Sequence, residues 1–300
     1  MRIVITTPTG HIGRRLVEIL QRQAGHDLVL LARDPDKLGD EARRGAVVIR
    51  GDLEDAAYVQ RATAGADALF AVIPADMRTD DLRALQNRIA ESFAHAVRVN
   101  HIERVVLVSS VGAHIGTGTG PINGLHDAEQ ILRTVVPTLT ILRPGYFMEN
   151  FLMALETIAH DQTIYLPVRA EVTLPMIATR DIADVAARAL TDTTRRGLRI
   201  TPLHGPRDYS FNEAARIIAD AIGHPVRLVT ITLDQARSHL LDHGVSENVT
   251  ESFLEMYEAF DTGRIMPEFP RGPETATPTT LEQFARDVLA PALRAMEQHV

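Results

Sequence analysis

Short apolar runs alternate with amphipathic stretches along the first 145 residues of the chain. Runs rich in Val, Ile and Leu are typical of strands buried on both faces of a parallel sheet, and they lie at 3–5, 27–32, 46–50, 68–73, 104–110 and 138–142. Apolar residues spaced three or four positions apart predict helices between these runs, near 12–20, 55–64, 80–99 and 125–134. This alternation of strands and helices predicts an α/β fold with a doubly wound parallel sheet.

Beyond residue 150 the alternation loosens, which predicts a smaller α+β part. Helical patterns lie at 151–159, 179–190, 211–222, 233–243, 246–260 and 281–297, with short strands at 198–201 and 226–231. A hairpin-like region is expected near 163–175. We therefore predict two domains, 1–145 and 146–300, with the segments around 176–204 packing back on the larger sheet.

The turn after the first strand is the main candidate for a dinucleotide site. A strand, a glycine turn and a helix follow one another here, which brings backbone N–H groups and a helix N-terminus to a phosphate. Gly10 would let a pyrophosphate approach, Gly13 would let the helix pack closely on the strand, and Thr7 replaces the usual first glycine. The predicted contacts are Thr7, Thr9, Gly10, His11, Ile12 and Gly13. The alternative is an ordinary strand-to-helix turn.

Basic residues follow the second predicted strand. Where an NAD-binding protein carries an acidic residue for the ribose, this chain has Arg33, with Lys37 shortly after it. Both cations suit a 2′-phosphate and predict NADP(H), unless they are simply solvated. Asp34, which lies between them, would cap the next helix. Asp52 would accept a hydrogen bond from the adenine amino group or, alternatively, cap a turn.

Ligands of doubly wound sheets bind beyond the carboxyl ends of the strands. The strand ends therefore complete the predicted cofactor site, with Leu53, Ile73, Pro74, Ser109, Pro144 and Phe147. A glycine-rich stretch, 112–124, follows the fifth strand, and we expect it to be a flexible lid.

Composition narrows the class of protein. The 31 basic and 39 acidic residues leave a net charge of −8, which argues against a nucleic-acid partner. The absence of cysteine removes disulfides and thiolate metal ligands, and no metal site is predicted. No apolar run approaches the ~20 residues of a membrane span. We expect a cytoplasmic protein, monomeric or homodimeric, that binds neither a membrane nor nucleic acid directly.

Four segments together resemble the NmrA-like family of atypical short-chain dehydrogenase/reductase proteins. They are Thr-Pro-Thr-Gly-His-Ile-Gly at 7–13, Ala-Arg-Asp-Pro at 32–35, Leu-Arg-Pro-Gly-Tyr-Phe-Met-Glu-Asn-Phe at 142–151 and Leu-His-Gly-Pro at 203–206. The resemblance covers nearly the whole chain and implies a Rossmann domain that binds NADP(H), with a smaller C-terminal substrate domain. Family members include NADPH quinone reductases, phenylpropanoid reductases, redox-sensing regulators and tailoring proteins of aromatic polyketide pathways.

The Tyr-x-x-x-Lys pair of short-chain dehydrogenases is absent. Lys37 is the only lysine, and Arg33 stands four positions before it. Where relatives carry their lysine, this chain has His126, which becomes the predicted proton donor because a histidine titrates near neutral pH. His114 is a second candidate, and Tyr146 could donate through its phenol. The alternative for both histidines is simple solvation.

Predicted substrate contacts surround these candidates. Ser110 ends the fifth strand, where related reductases place a substrate-orienting serine. The resemblance implies that the segment after the sixth strand lines the nicotinamide and substrate pocket, with Met148, Asn150 and Phe151 beside His114 as substrate contacts. Flat apolar walls suit an aromatic or quinonoid ligand, although the same residues could instead form C-terminal core.

The sequence thus favours an NADPH-dependent oxidoreductase acting on a quinone or another aromatic or polyketide-type carbonyl compound. A quinone suits a site without the dyad, because its reduced anion is delocalised and needs only a modest acid. The alternative is a non-catalytic NADP(H)-binding redox sensor. An enzyme needs an open pocket at the nicotinamide, whereas a sensor can fill that space with side chains.

Overall fold

The computed structural model describes residues 1–298. Its strands, in chain order, are β1 (Arg2–Thr6), β2 (Asp27–Ala32), β3 (Val47–Arg50), β4 (Ala68–Val72), β5 (Arg104–Val108), β6 (Thr138–Pro144), β7 (Tyr146–Phe147), β8 (Thr163–Leu166), β9 (Thr173–Ile177), β10 (Gly197–Leu203), β11 (Asp208–Ser210) and β12 (Arg227–Thr230).

The larger sheet has seven strands in the order β10-β6-β5-β4-β1-β2-β3, and every neighbouring pair is parallel. Because β1 lies between β2 and β4, the chain winds outward from it in both directions. The residues of β5 and β6 are buried throughout, as expected when helices cover both faces of a sheet. The predicted doubly wound parallel sheet is confirmed.

Helices connect and cover these strands. They are α1 (His11–Arg22), α2 (Gly39–Arg43), α3 (Ala56–Ala62), α4 (Leu82–Asn100), α5 (Ile122–Arg133), α6 (Leu155–Asp161), α7 (Thr179–Thr191), α8 (Phe211–Ile222), α9 (Leu233–Asp242), α10 (Glu247–Asp261), α11 (Leu281–Phe284) and α12 (Ala290–Glu297). Short 3-10 helices span Pro35–Leu38 and Met148–Ala154. Within residues 1–298, none of the helices is long and apolar enough to cross a membrane.

Alternating side chains of β1 show how the two layers form. Ile3 and Ile5 belong to the core beneath α1 and α7, whereas Val4 belongs to the core beneath α3, α4 and α5. Successive side chains of a strand point to opposite faces, so one apolar run supplies both cores. Because β1 pairs in parallel with both β2 and β4, the carboxyl ends of these three strands meet at one edge of the sheet, where ligands of such folds bind.

The second half of the chain both extends the large sheet and builds its own core. The 176–204 segment joins the large sheet because β10 pairs with β6 and α7 packs on α1. A third core, under α8 and the C-terminal helices, includes Phe151, Tyr209 and Phe211. The hairpin expected near 163–175 is wrong, since β8 pairs with β12 while β9 pairs with β7 and β11.

The glycine-rich stretch 112–124 is packed rather than open. Ala113 and Thr119 are fully buried, and α5 begins at Ile122, earlier than the helix predicted from 125. The N–H of Gly120 donates to a carboxylate oxygen of Glu255 on α10 at 2.8 Å. The expectation of a free, flexible lid is therefore wrong, because α10 holds this stretch against the fold.

Candidate cofactor and substrate site

The glycine loop turns sharply through Thr7, whose φ of 49° lies in the left-handed region. The turn closes with a hydrogen bond from the N–H of Gly10 to the carbonyl of Thr7 at 3.1 Å. Thr7 thus adopts the backbone conformation that the usual glycine would take at this place. A Cβ on Gly13 would lie 2.2 Å from the Thr7 carbonyl oxygen, so only glycine allows this close packing of α1 on the loop.

The N-terminus of α1 is free to meet an anion. Gly10 occupies the N-cap position and no side chain caps the helix. Thr9, Gly10 and His11 are exposed there, whereas Ile12 is buried in the core, so Ile12 can offer a ligand only its backbone. Unpaired N–H groups at a helix N-terminus form an anion site.

A cavity of about 190 Å³ lies between the glycine loop and the carboxyl ends of β2, β3 and β4. It brings together seven residues that the sequence assigns to the cofactor: Thr7, Thr9, Arg33, Lys37, Asp52, Leu53 and Pro74. Ile73 lies next to Pro74 but is buried in the core beneath α4.

The two cations at this cavity differ in their surroundings. Arg33 is exposed, and no hydrogen bond or ion pair engages its guanidinium within the described residues 1–298. The Nζ of Lys37 lies 3.6 Å from the Oδ2 of Asp34, and the Oδ1 of Asp34 accepts a hydrogen bond from the N–H of Asp36. Arg33 is therefore the cation available for a phosphate, while Asp34 caps the following turn as expected.

Asp52 makes a turn with one of its oxygens. Its Oδ1 accepts a hydrogen bond from the N–H of Glu54 at 3.0 Å, which is the turn-capping alternative. The carboxylate nevertheless lines the cavity and remains exposed. Its charge, together with burial, raises the pKa of Tyr58 to about 12, with burial as the larger cause.

Sequence reasoning missed Arg14, which lines a second cavity at the start of α1. This cavity, of about 270 Å³, also includes Thr9, Gly10 and His11. Neighbouring Arg15 pairs with Glu18 and Asp184, but Arg14 has no such partner within residues 1–298. Its place in the first helical turn, directly after the glycine loop, was the signal that could have found it.

The hydroxyl of Ser109 does not face the cofactor site. It donates to the Oε1 of Glu129 at 2.6 Å, in a buried network that Arg143 joins through hydrogen bonds of 2.9 and 2.6 Å to the same carboxylate. Glu129 has no exposed surface. The assignment of the Ser109 side chain to the cofactor is therefore wrong. The next residue, Ser110, is partly exposed at the end of β5.

His126 is held in a defined orientation. Its Nδ1 lies 2.8 Å from the carbonyl oxygen of Ala113, which can only accept, so Nδ1 carries the proton and Nε2 is the basic atom. Beside it, the hydrogen bond from Arg83 lowers the pKa of Asp127. His114 is exposed without a partner within residues 1–298. Within the same residues, no cluster of three side chains could ligate a metal.

The segment after β6 divides between core and cleft. Met148 and Phe151 are 0 % and 1 % exposed in the C-terminal core, so their assignment to the substrate is wrong in this structure. Their apolar neighbours bury them completely. Phe147 is partly exposed, Asn150 is exposed, and Pro144 is buried at the end of β6.

Tyr146 packs among aromatic rings. Its ring centroid lies 5.3 Å from that of Phe211 and 5.9 Å from that of Phe151. Burial and, to a lesser extent, the neighbouring phenol of Tyr257 raise the pKa of Tyr146, while its hydrogen bond with Asn150 opposes the shift. Because burial disfavours the phenolate, Tyr146 is a poor proton donor.

Glu149, also missed by sequence reasoning, connects this segment to α7. Both of its carboxylate oxygens lie 3.0 Å from the N–H of Thr179, and the Thr179 hydroxyl donates to one of them at 2.5 Å. Burial raises the pKa of the Glu149 carboxyl, while the bonds from Thr179 and the nearby His11 oppose this shift. The carboxylate of Glu149, in the 142–151 segment, therefore caps the N-terminus of α7.

The glycine loop, the uncapped start of α1 and the cavity beside them form a cleft that could hold a dinucleotide. A family model described as the NmrA-like family matches residues 1–285. The chain belongs to the NmrA-like family. Its Leu-Arg-Pro…Glu-Asn segment supplies, in this NmrA-like protein, a buried arginine network and the cap of α7 rather than a row of pocket walls.

Three known proteins illustrate what this chain is similar to. An NAD(P)H azoreductase of Xenophilus azovorans is 29% identical over 255 residues, covering 85% of this chain and 86% of its own. An NADPH-dependent quinone oxidoreductase of Escherichia coli has a TM-score of 0.76 at 18% identity, covering 96% and 99%. NmrA, a negative transcriptional regulator solved with NADP, has a TM-score of 0.70 at 17% identity, covering 98% and 97%. The two structural likenesses establish the shared fold.

Proposed function

We propose that this protein is an NADPH-dependent reductase of quinones or other conjugated aromatic acceptors. The carrying observation is Arg33, a guanidinium without a partner in residues 1–298, at the rim of the cavity that the glycine loop lines. The name of the azoreductase relative supports the reaction class, because azo compounds and quinones are both conjugated two-electron acceptors.

The cleft fits NADP(H) in three respects. The uncapped N-terminus of α1 offers N–H groups for the pyrophosphate, and Gly13 keeps the helix close behind them. Arg33 offers its planar guanidinium to the 2′-phosphate, with Lys37 adding charge nearby. Asp52 and Leu53 would border the adenine. When bound, the cofactor would supply a hydride, and these residues would hold the cofactor in place.

The substrate class follows from what the chain lacks. With Lys37 as its only lysine, the chain has no Tyr-x-x-x-Lys dyad to protonate a poorly stabilised alkoxide. A quinone, or an extended aromatic or polyketide-type carbonyl, spreads the added electrons over its conjugated system and needs weaker acid assistance. We therefore place such acceptors ahead of isolated ketones.

Calorimetry with NADPH and NADH tests the cofactor assignment. We expect wild type to favour NADPH, and Arg33→Gln to reduce the ratio of the two affinities by about 10- to 100-fold, because a charged hydrogen bond contributes about 1.5–3 kcal/mol. Arg22→Gln is the matched control, since Arg22 is an exposed arginine at the far end of α1. Equal affinities in wild type, or an unchanged ratio in Arg33→Gln, would contradict the assignment.

Turnover separates the enzyme from the sensor. Purified protein with NADPH should consume the reduced nicotinamide in the presence of at least one member of a panel of quinones and azo compounds. The regulator NmrA, which shares the fold, keeps the sensor as the competing hypothesis. Tight NADPH binding with no oxidation across the panel would favour the sensor and reject the reductase.

A further inference from the structure

A third cavity lies away from the cofactor cleft. It has a volume of about 560 Å³ and is bordered by α7, by the strands β6 and β10 of the large sheet and by the segment 273–278. Among the described residues, it shares none of its lining with the two cavities at the glycine loop. Its volume is within the range of ligand pockets in proteins. The cavity is therefore a candidate for a separate ligand site.

Within residues 1–298, all but one of the charged side chains that line this cavity have a partner. Three ion pairs join lining carboxylates to arginines: Asp184 with Arg15 at 3.4 Å, Asp192 with Arg195 at 2.6 Å and Glu274 with Arg199 at 2.6 Å. Both carboxylate oxygens of Asp181 accept hydrogen bonds from Thr279. The exception is Arg188, which is exposed in the last turn of α7 and has no hydrogen bond or ion pair on its guanidinium. Arg188 is thus the cation that an anion in the cavity could engage.

A buried hydroxyl group of β6 also opens onto the cavity. Thr140 is 6% exposed, and its Oγ1 has no hydrogen-bond partner within residues 1–298. This oxygen is not among the fully enclosed unpaired atoms, so it reaches the cavity that Thr140 lines. A buried hydroxyl without a partner carries a free-energy cost unless water or a ligand satisfies it. The cavity therefore offers an unused donor from the sheet as well as an unpaired cation from α7.

The rest of the lining selects the kind of anion. Five apolar residues border the cavity: Val185, Ala189, Pro273, Ala276 and Pro278. They suit a ligand with an apolar body. Four carboxylates also border the cavity, and although each is engaged, together they oppose an occupant with two negative charges. A single unpaired guanidinium therefore matches one carboxylate better than a phosphate dianion.

We propose that this cavity is a second ligand site, which binds a small organic monocarboxylate with an apolar body. The guanidinium of Arg188 pairs with the carboxylate, and the Thr140 hydroxyl donates a hydrogen bond to the ligand. The apolar residues of the lining contact the ligand's body. This site is separate from the proposed reductase chemistry, because the residues that line the cofactor cleft take no part in it.

Fluorine NMR with 4-fluorobenzoate tests the proposal, since the width of the fluorine resonance in a titration gives the Kd. We expect wild type to bind 4-fluorobenzoate and Arg188→Gln to raise the Kd at least about 10-fold, because a charged hydrogen bond is lost. Arg98→Gln is the matched control, since Arg98 is also exposed, lies in the last turn of α4 and has no partner within residues 1–298. Thr140→Val, which keeps the shape of the side chain, should raise the Kd about 3-fold.

Two comparisons separate this site from other ways of binding the probe. 4-Fluorobenzyl alcohol keeps the ring without the charge, and it should bind at least about 10-fold more weakly than 4-fluorobenzoate. Saturating NADPH should leave the binding of 4-fluorobenzoate in place, because the two sites share no lining residue among those described.

Four results would overturn the proposal. They are a failure of wild type to bind 4-fluorobenzoate, equal Kd values in wild type and Arg188→Gln, equal binding of the uncharged alcohol, and loss of binding in the presence of NADPH. The last result would place the carboxylate at the phosphate contacts of the cofactor cleft. Because Arg188 is exposed, its replacement leaves the fold intact and the comparison valid. None of these outcomes bears on the reductase assignment, which the turnover assay decides by itself.

Discussion

Replacing Thr7 by glycine should stabilise the protein. Thr7 holds a φ of 49° although its side chain is β-branched, a combination that side-chain sterics disfavour. The turn is closed by backbone atoms, from the N–H of Gly10 to the carbonyl of Thr7. The Thr7 side chain makes no hydrogen bond within residues 1–298, so the substitution removes strain without removing a polar contact.

The expected gain is small but measurable. A left-handed conformation costs a non-glycine residue about 1–2 kcal/mol, which glycine avoids. Glycine loses about 0.5–1 kcal/mol more conformational entropy on folding than another residue does, and this loss offsets part of the gain. The net stabilisation is about 0.8 kcal/mol. A chain of 300 residues unfolds with an entropy of about 0.6 kcal/mol/K, which converts the gain into a rise in Tm of about 1.3 °C.

Differential scanning calorimetry at one pH, without ligand, measures this shift. Thr7→Ala is the matched control, because alanine keeps the Cβ that makes the conformation unfavourable. His101→Gly and Gln162→Gly test the same physics elsewhere, since both residues are exposed helix C-caps with φ of 53° and 52°. All three glycine variants should gain stability while Thr7→Ala gains less.

Two results would refute this reasoning. If Thr7→Ala raises Tm as much as Thr7→Gly, the gain does not come from the backbone. If Thr7→Gly lowers Tm while the two C-cap variants raise it, the threonine side chain stabilises the loop in a way that its contacts do not reveal.

Two further predictions concern buried charge. Glu129→Ala should lower the free energy of unfolding, measured in urea, by about 3 kcal/mol, because it leaves the buried guanidinium of Arg143 with Glu268 as its only carboxylate partner within residues 1–298. Asp40→Ala, at an exposed pair, should change that free energy by less than about 0.5 kcal/mol, and similar losses in both variants would contradict the argument. His204 is 2% exposed, and burial, with the nearby Arg271 as a smaller cause, lowers its pKa in the folded state. Below about pH 6.5 the unfolded chain therefore binds this proton more readily than the folded protein does. The free energy of unfolding decreases as the pH is lowered through this window. His204→Gln should flatten that part of the curve of unfolding free energy against pH, and an unchanged slope would show that other groups cause it.

Local patterns determined much of the architecture and half of the site. Apolar runs predicted the inner strands β1, β2, β4, β5 and β6, because a strand buried on both faces leaves little choice of residue. The edge strands β3 and β10 are partly exposed, and their shorter or more polar patterns were also predicted as strands. The cavity residues, among them Arg33, Lys37 and Asp52, were predictable because parallel strands bring their carboxyl ends to one edge. A residue that directly follows a strand of such a sheet therefore lies at the ligand edge.

The substrate side depended on contacts that no local pattern encodes. Ser109 and Ser110 are adjacent in sequence just beyond β5, and only the packing of α5 reveals that Glu129 accepts a hydrogen bond from Ser109. Met148 and Phe151 are apolar whether they line a pocket or fill a core, and here the C-terminal helices enclose them.

The sequence by itself determined the doubly wound sheet, the glycine loop and the cation after β2, because each rests on short-range geometry. Only the tertiary structure decided that α10 holds the stretch after β5, through the hydrogen bond from the N–H of Gly120 to Glu255. Those residues are separated by more than a hundred positions in the chain. Long-range packing brings them together, and no periodic pattern in the sequence predicts that contact.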